Sequence, residues 1–186
     1  MHFPCFGSPR ERAVWRRILV PREITLRNLH RTLQTVMGWT NSHLHQFICQ
    51  RSRLSDPGSR VGSKITDENR TKLGELIGTV GARLLYEYDF GDCWQHELLL
   101  EQVLLGDETF QQTCVAGKRC CPPEDCGGPQ GFAELLQALQ DANHPSHSEA
   151  CDGLAILSLN PSLQMKLTDD YVARNTDAHK SPVDER

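Results

Sequence analysis

The chain has 186 residues, of which 38% are hydrophobic and 24% are charged, and its formal net charge is −4. These values are typical of one soluble globular domain with its own core. Because no apolar run reaches about 18 residues and the first ten residues do not resemble a secretion signal, we predict a cytoplasmic protein without membrane association. The eight cysteines are then expected to be reduced thiols, metal ligands or core residues.

The charge is divided unevenly along the chain. Residues 1–64 carry eleven Lys/Arg against three Asp/Glu, a balance of +8, whereas residues 65–186 carry nine against twenty-one, a balance of −12. A basic half of this kind is typical of a surface that contacts nucleic acid. Alternatively, the two halves pack against each other and neutralise each other's charge.

The first elements are a strand and a helix. Residues 13–20 (AVWRRILV) alternate between two faces and predict a strand. Residues 25–37 predict a helix, because apolar residues recur at helical spacing between a suitable N-cap, Thr25, and a suitable stop, Gly38. His30 lies next to the apolar stripe of this helix.

The middle of the chain predicts a strand, a loop and a short helix. Residues 43–50 (HLHQFICQ) alternate like a strand. One face of that strand carries His43, His45, Phe47 and Cys49. Residues 51–64 are polar and contain Gly and Pro, so we expect a mobile loop, and residues 70–77 predict a short helix.

Residues 83–101 (RLLYEYDFGDCWQHELLLE) give the clearest β pattern. Two alternating runs flank residues 89–92, which suit a hairpin turn. One face of the first run carries Leu84, Tyr86, Tyr88 and Phe90, and one face of the second carries Trp94, His96, Leu98 and Leu100.

The last predicted elements are an irregular loop and a second helix. Residues 118–129 (KRCCPPEDCGGP) combine three thiols, two carboxylates, prolines and glycines, which excludes a regular helix or strand. Residues 132–141 predict a helix, and the polar stretch 169–186 predicts disorder. The outline indicates a single α+β domain, an antiparallel sheet with helices packed on one face.

Several segments together resemble the family named after the third open reading frame of a root-inducing (Ri) plasmid, the plasmid Ri ORF-three-like family. They are VWRRI at 14–18, MGW at 37–39, HLHQF at 43–47, YEYDFGD at 86–92 and CPPEDCGG at 121–128. The resemblance implies an α+β domain over residues 13–150, between an irregular segment at 1–12 and a divergent, partly disordered tail at 151–186. It also implies an association with plasmids and transposable elements, without an established activity.

The first candidate site is a metal centre with zinc as the cofactor. The thiols of Cys121 and Cys126 precede the imidazoles of His144 and His147, and two thiolates with two imidazoles suit tetrahedral zinc. His96, His43 and His45 are alternative imidazoles for this site. If no metal is bound, the two cysteines are buried thiols that fix a turn.

The second candidate is an acid/base cluster at the hairpin. It comprises Tyr88, Asp89, Asp92, His96 and Glu97. The alternative is a structural role for these residues, because Asp residues suit turns and His96 follows Trp94 on an apolar face.

Glu124 and Asp125 are expected to rigidify the thiol-rich loop by accepting hydrogen bonds from loop amides or by pairing with Arg16 or Arg17.

The third candidate is a nucleic-acid surface on the basic half. It comprises Arg16, Arg17, Arg22, Arg27 and Arg31, with Trp15 or Trp39 available to stack on bases. The alternative is a solvated basic face.

We therefore expect a non-enzymatic accessory or binding protein that is associated with plasmids and transposable elements and contacts nucleic acid or a transposase-like protein. The alternative is a small metal-dependent enzyme centred on the CPPEDC loop and the YDFGD hairpin. The remaining residues of interest form a structural motif. They are Trp15, Trp39, His43, His45, Asp89, Asp92, Trp94, His96, Glu124 and Asp125.

Overall fold

A computed structural model of the protein describes residues 14–50, 52–59, 65–105 and 112–158. The expected N-terminal segment at 1–12 and the expected disorder at 169–186 lie outside the described residues. The elements in chain order are β1 (Trp15–Leu19), α1 (Leu26–Met37), β2 (His45–Cys49), β3 (Ser52–Ser55), β4 (Ile65–Asp67), α2 (Leu73–Leu76), β5 (Arg83–Tyr88), β6 (Trp94–Leu99), β7 (Thr113–Lys118), α3 (Gly128–Gln140) and α4 (His147–Ser158).

The predicted α+β class with mostly antiparallel strands is confirmed. The described strands form a five-stranded sheet in the order β4-β3-β2-β5-β6 and a two-stranded sheet of β1 and β7. All pairs are antiparallel except β3 with β4, which is parallel. No helix among the described residues has both the length and the apolarity to cross a bilayer.

Helix α1 forms as the sequence predicts. The Thr25 side chain accepts a hydrogen bond from the Asn28 N–H at 3.3 Å, and Gly38 ends the helix in the left-handed conformation at φ 75°. Glycine reaches this conformation without the steric cost that a Cβ imposes. The buried face of the helix carries Leu26, Leu29, His30, Leu33, Gln34, Val36 and Met37.

The predicted hairpin is strands β5 and β6. Their inward side chains pair across the sheet, Tyr86 with His96 and Tyr88 with Trp94. Alternate residues of both strands are buried, as the period of two requires. At the turn, Asp89 has φ 55° and its Oδ1 accepts the Gly91 N–H at 2.9 Å, which is Asp turn chemistry.

The expected mobile loop at residues 51–64 is wrong in part, because residues 52–55 form strand β3. Leu54 in this strand is only 2% exposed and pairs with Phe47 of β2. The contact between Leu54 and Phe47 stabilises the pairing of the two strands. The sequence does not predict this strand because the neighbours of Leu54 are polar.

The C-terminal helices differ from their predicted bounds. Helix α3 begins at Gly128, four residues before the predicted start, because Gly127 caps it at φ 84° and Pro129 occupies its first turn. Helix α4 was not predicted, and it crosses the expected domain boundary at residue 150. Ala150 is buried, so this boundary falls inside a packed element.

Candidate ligand cavity

A cavity of about 520 Å³ opens between helix α1 and the start of strand β2. The loop between these elements and the ends of β3 and β4 complete its walls. Three histidines, two arginines and two carboxylates contribute most of its polar groups. The lining residues are Arg27, His30, Arg31, Asn41, Ser42, His43, Leu44, His45, Ser55, Asp56, Gly58 and Glu68.

His30 forms part of the inner wall and lies in a closed hydrogen-bond network. Its Nε2 lies 2.6 Å from Asn41 Oδ1, and its Nδ1 lies 2.8 Å from the Tyr86 hydroxyl. Gln34 donates to the same hydroxyl at 3.0 Å, so the hydroxyl proton points to His30. These contacts assign a neutral His30 that donates through Nε2 and accepts at Nδ1.

Burial keeps His30 neutral. Transfer of the ring out of water, followed by the proximity of His45, lowers the pKa of His30 to about 4. Burial likewise raises the pKa of Tyr86 well above its usual range. Both groups are therefore uncharged at neutral pH, which suits a fixed network at the base of the cavity.

His45 stacks directly on His30 and pairs with a buried acid. The ring centroids lie 3.5 Å apart and the planes differ by 2°. His45 Nε2 lies 2.8 Å from Glu68 Oε2, and Glu68 is only 1% exposed. The second oxygen, Glu68 Oε1, has no hydrogen-bond partner among the described residues; its nearest cation is Arg27 Nη1 at 3.9 Å.

The two arginines of the cavity differ in whether their guanidinium groups have partners. Arg27 Nη1 lies 3.0 Å from Asp56 Oδ2, and the Gly58 N–H followed by Arg27 lowers the pKa of Asp56. Arg31 lies one helical turn after Arg27, and its side chain is exposed. Within the described part of the chain, no carboxylate or hydrogen-bond acceptor engages the Arg31 guanidinium.

A second polar cluster lies beside the cavity, where His43 stands between two carboxylates. Its Nδ1 lies 3.5 Å from Asp89 Oδ2 and its Nε2 lies 3.2 Å from Asp125 Oδ1. This is the single group of three potential ligands that the described residues bring within 4.8 Å of one another. Because one ion binds only one nitrogen of a ring, the arrangement suits an ion-paired histidine better than a metal centre.

Glu124 of the thiol-rich loop connects the loop to the core, but not through an arginine as expected. It accepts hydrogen bonds from the Thr40 N–H at 2.8 Å, from the Thr40 hydroxyl at 2.5 Å and from the Tyr88 hydroxyl. Burial opposes ionisation of Glu124, but these hydrogen bonds outweigh it and lower the pKa. The partners of Glu124 are therefore Thr40 and Tyr88, which lie outside the thiol-rich loop, whereas amides of that loop or an arginine were expected.

The thiol-rich loop is held by two further contacts. The Trp39 indole N–H donates to the Pro122 carbonyl at 2.9 Å, and Arg16 Nη2 lies 2.9 Å from Cys121 Sγ. Burial raises the pKa of Cys121 to about 11. Strand β1, the hairpin and the loop therefore meet in one compact unit.

The four residues predicted to bind zinc do not converge. Cys121 Sγ contacts Arg16, and Cys126 Sγ lies 4.0 Å from the Gly128 carbonyl. His144 Nδ1 accepts the Ser146 N–H at 3.2 Å, and His147 Nδ1 donates to the Ala138 carbonyl at 2.7 Å. The cysteines lie before helix α3 and the histidines after it, and the 13-residue helix keeps the pairs from meeting.

The predicted arginine surface is also divided by the fold. Arg16 is 5% exposed and cannot reach a nucleic acid, because it donates to the Trp15 and Lys118 carbonyls within the small sheet. Arg17 Nε contacts Glu101 Oε2 at 2.6 Å, and its guanidinium lies over the Trp15 ring. Arg22 is exposed outside the cavity, so only Arg27 and Arg31 share one site.

The remaining motif residues belong to the core or to the turn. Trp94 and His96 are buried on the inner face of β6, where burial lowers the pKa of His96 to about 4. Asp92 Oδ2 accepts the Gly127 N–H at 3.2 Å and so joins the turn to helix α3. In this structure Trp94 and His96 therefore pack in the core, and Asp92 joins the turn to the helix.

The sequence did not identify Glu68 or Asn41 as site residues. His30 gave a weak signal, as a histidine at the edge of an apolar stripe. Glu68 gave none, because it lies in a polar stretch between short elements, and only the folded chain brings it to His45.

Comparisons with known proteins identify the family of the chain and a solved structure with a similar fold. A profile of the plasmid pRiA4b ORF-3-like protein family matches residues 8–156. The uncharacterized protein y4hQ of Sinorhizobium fredii is 38% identical over 143 residues, which are 76% of this chain and 74% of that protein. The crystal structure of a protein of unknown function, MM3350 from Methanosarcina mazei Go1, matches with a TM-score of 0.70 and 32% identity over 80% of this chain and 84% of that chain. The resemblance noted in the sequence is confirmed, and the chain belongs to the plasmid pRiA4b ORF-3-like protein family.

Proposed function

We propose that the chain is a binding protein whose cavity takes the phosphorylated end of a nucleic-acid strand. The observation that carries this proposal is the position of Arg31. Arg31 lines the cavity, its side chain is exposed, and its guanidinium has no partner within the described residues. A planar guanidinium with unused donors suits the oxygens of a phosphate.

The inner end of the cavity supports a ligand that also donates hydrogen bonds. Glu68 lines the cavity, is almost fully buried, and leaves Oε1 without a hydrogen bond from any described residue. A buried carboxylate oxygen in this state is costly, and a hydroxyl or amino group of a ligand satisfies it. A terminal nucleotide offers a phosphate for Arg31 and hydroxyl or amino groups for Glu68.

The proposal narrows the expected role of the basic half. Arg16 is buried and Arg17 is paired with Glu101, so they do not form a continuous phosphate-binding stripe with Arg31. Arg27 is paired with Asp56 but lines the same cavity, where a phosphate competes for its donors. The predicted nucleic-acid contact is thus localised to one end of helix α1 and its neighbouring loop.

The test is binding of a 5′-phosphorylated single-stranded oligonucleotide to the full chain, measured by fluorescence anisotropy at low salt. We expect Arg31→Ala to weaken binding about tenfold or more, because a hydrogen bond to a charged group contributes about 1.5–3 kcal/mol. Arg22→Ala is the matched control, since Arg22 is an exposed arginine that does not line the cavity.

Two results would contradict the proposal. One is the absence of binding at low salt, which would favour a transposase-like protein as the partner. The other is an equal loss of affinity in the Arg22→Ala and Arg31→Ala variants, which would indicate diffuse electrostatic attraction.

A further inference from the structure

We propose that His45 and Glu68 form a general-base pair that hydrolyses the terminal phosphate ester of the strand bound in the cavity. This inference rests on the proposed function, because it requires the phosphate to bind near Arg31. It adds a reaction, a catalytic base and a positioning residue to a site otherwise described as a binding site.

The hydrogen bond between the two residues fixes which nitrogen of His45 carries the proton. Nε2 lies 2.8 Å from Glu68 Oε2, and the carboxylate only accepts, so Nε2 donates. Nδ1 is then the basic nitrogen. No described residue hydrogen-bonds Nδ1, and the His45 ring lines the cavity. A buried carboxylate that orients an imidazole in this way is the arrangement used by hydrolytic histidine bases.

The ring of His45 is held firmly in place. It is stacked on His30 at 3.5 Å and makes an edge contact with Phe47, with ring centroids 6.1 Å apart. The Ser55 hydroxyl donates to the His45 carbonyl at 2.7 Å, and strand pairing places His45 opposite Tyr88. A base that is fixed on a strand and packed on both sides loses little entropy when it meets its substrate.

The charged groups around His45 come from several elements. Glu68 accepts a hydrogen bond from His45 Nε2, and Asp56 lies within electrostatic range of the ring. Arg27 faces the same two acids, while His30 is neutral and adds no charge. Tyr86, which faces both rings, is also neutral.

The reaction is hydrolysis of a phosphate monoester. Nδ1 of His45 takes a proton from a water molecule as its oxygen attacks phosphorus. The new P–O bond forms while the bond to the 5′ oxygen of the strand breaks. That oxygen lies on the side of phosphorus opposite the attacking water and takes a proton from solvent, and the His45 imidazolium later returns its own proton to solvent. The products are inorganic phosphate and a strand with a free 5′ hydroxyl. Arg31 holds the phosphate oxygens, on which charge accumulates.

The experiment measures release of inorganic phosphate from the 5′-phosphorylated oligonucleotide by the full chain. We expect His45→Gln to lower the rate 100-fold or more, the usual contribution of a general base. Glu68→Gln keeps the shape of the side chain and should lower the rate less. It should also move the acid limb of the pH–rate profile to lower pH, because the protonated ring loses its anionic partner. A purely structural role would not move the profile.

His144→Gln is the matched control, since His144 does not line the cavity. If His45→Gln fails to fold, the pH–rate profile of Glu68→Gln alone decides the question. Binding of the oligonucleotide without phosphate release would overturn this inference and leave the proposed function intact. A rate that is unchanged in His45→Gln would overturn it too, whereas absence of binding would overturn both proposals.

Discussion

At the scale of single residues, the cavity depends on two imidazoles that face each other at 3.5 Å. Two charged rings at this distance would repel strongly, so one of them must stay neutral. His30 has this role, because it is buried and its nitrogens are both satisfied by Tyr86 and Asn41. His45, the other ring of the stack, is hydrogen-bonded to the buried carboxylate of Glu68.

The first prediction concerns the pH dependence of stability. Burial, with His45 as a further cause for His30, lowers the pKa of both His30 and His96 to about 4, whereas an unfolded histidine titrates at about 6.5. Above about pH 6.5 both rings are neutral in the folded and in the unfolded chain, so they do not lower the free energy of unfolding. As the pH falls from about 6.5 to about 4, the unfolded chain takes up protons that the folded chain does not, so stability falls.

Urea unfolding at pH 7 and pH 4.5 measures this effect, with a loss of roughly 2–3 kcal/mol expected for each ring. His96→Leu should remove about half of the pH dependence attributable to the two rings, whatever its effect on stability at pH 7. A slope that His96→Leu does not alter would contradict the assignment of a neutral buried ring.

At the scale of secondary-structure elements, helix α3 is packed unusually close to the thiol-rich loop. A Cβ placed on Gly131 would lie 1.9 Å from the Cys126 carbonyl oxygen and 2.9 Å from its carbon. Both are backbone atoms, which cannot move aside as a flexible side chain does. The glycine therefore allows the loop to fold back over the first turn of the helix.

The second prediction compares two glycines in helices. Gly131→Ala should destabilise the protein by about 1–3 kcal/mol or more, because it forces the loop away from α3. Gly153 in α4 is the matched control, since a Cβ there meets nothing within 4 Å. Gly153→Ala should stabilise the protein by up to about 1 kcal/mol through helix propensity. Thermal unfolding of both variants checks the pair, and equal effects would contradict the close approach.

The elements that the sequence predicts are those with local signals. Helix α1 and the β5–β6 hairpin are predictable because their signals are local, namely a cap at Thr25, a stop at Gly38 and strict alternation around residues 89–92. Strand β3 depends on Leu54 meeting Phe47, and helix α4 has a weak apolar pattern. Their formation depends on tertiary packing, which local periodicity does not encode.

At the scale of the whole molecule, the site was harder to predict than the fold. His45 and Glu68 are 23 positions apart, and His30 and Tyr86 are 56 apart. No spacing rule connects them, because the five-stranded sheet and α1 bring them together. The thiol-rich loop has the most unusual composition in the sequence, and in the structure its contacts anchor Pro122 to Trp39 and Glu124 to Thr40.

The third prediction concerns the end of the folded unit. Ending the chain after residue 150 leaves only four residues of α4, too few to stay helical, and exposes the contact of His147 with Ala138. We expect residues 1–150 to unfold several degrees lower than residues 1–158. Differential scanning calorimetry measures the difference. Equal unfolding temperatures would support the boundary at 150 expected from the sequence.

The contact of Arg16 with Cys121 joins the small sheet to the thiol-rich loop. The rate at which strand β1 separates from this loop can be measured through the reactivity of the Cys121 thiol. A thiol reagent should modify the exposed Cys93, Cys120 and Cys151 at once, whereas the Cys121 sulfur lies under a guanidinium at 2.9 Å. Its alkylation must wait until strand β1 lifts away. Mass spectrometry of the peptide that carries Cys121 would therefore measure how fast strand β1 separates from the loop.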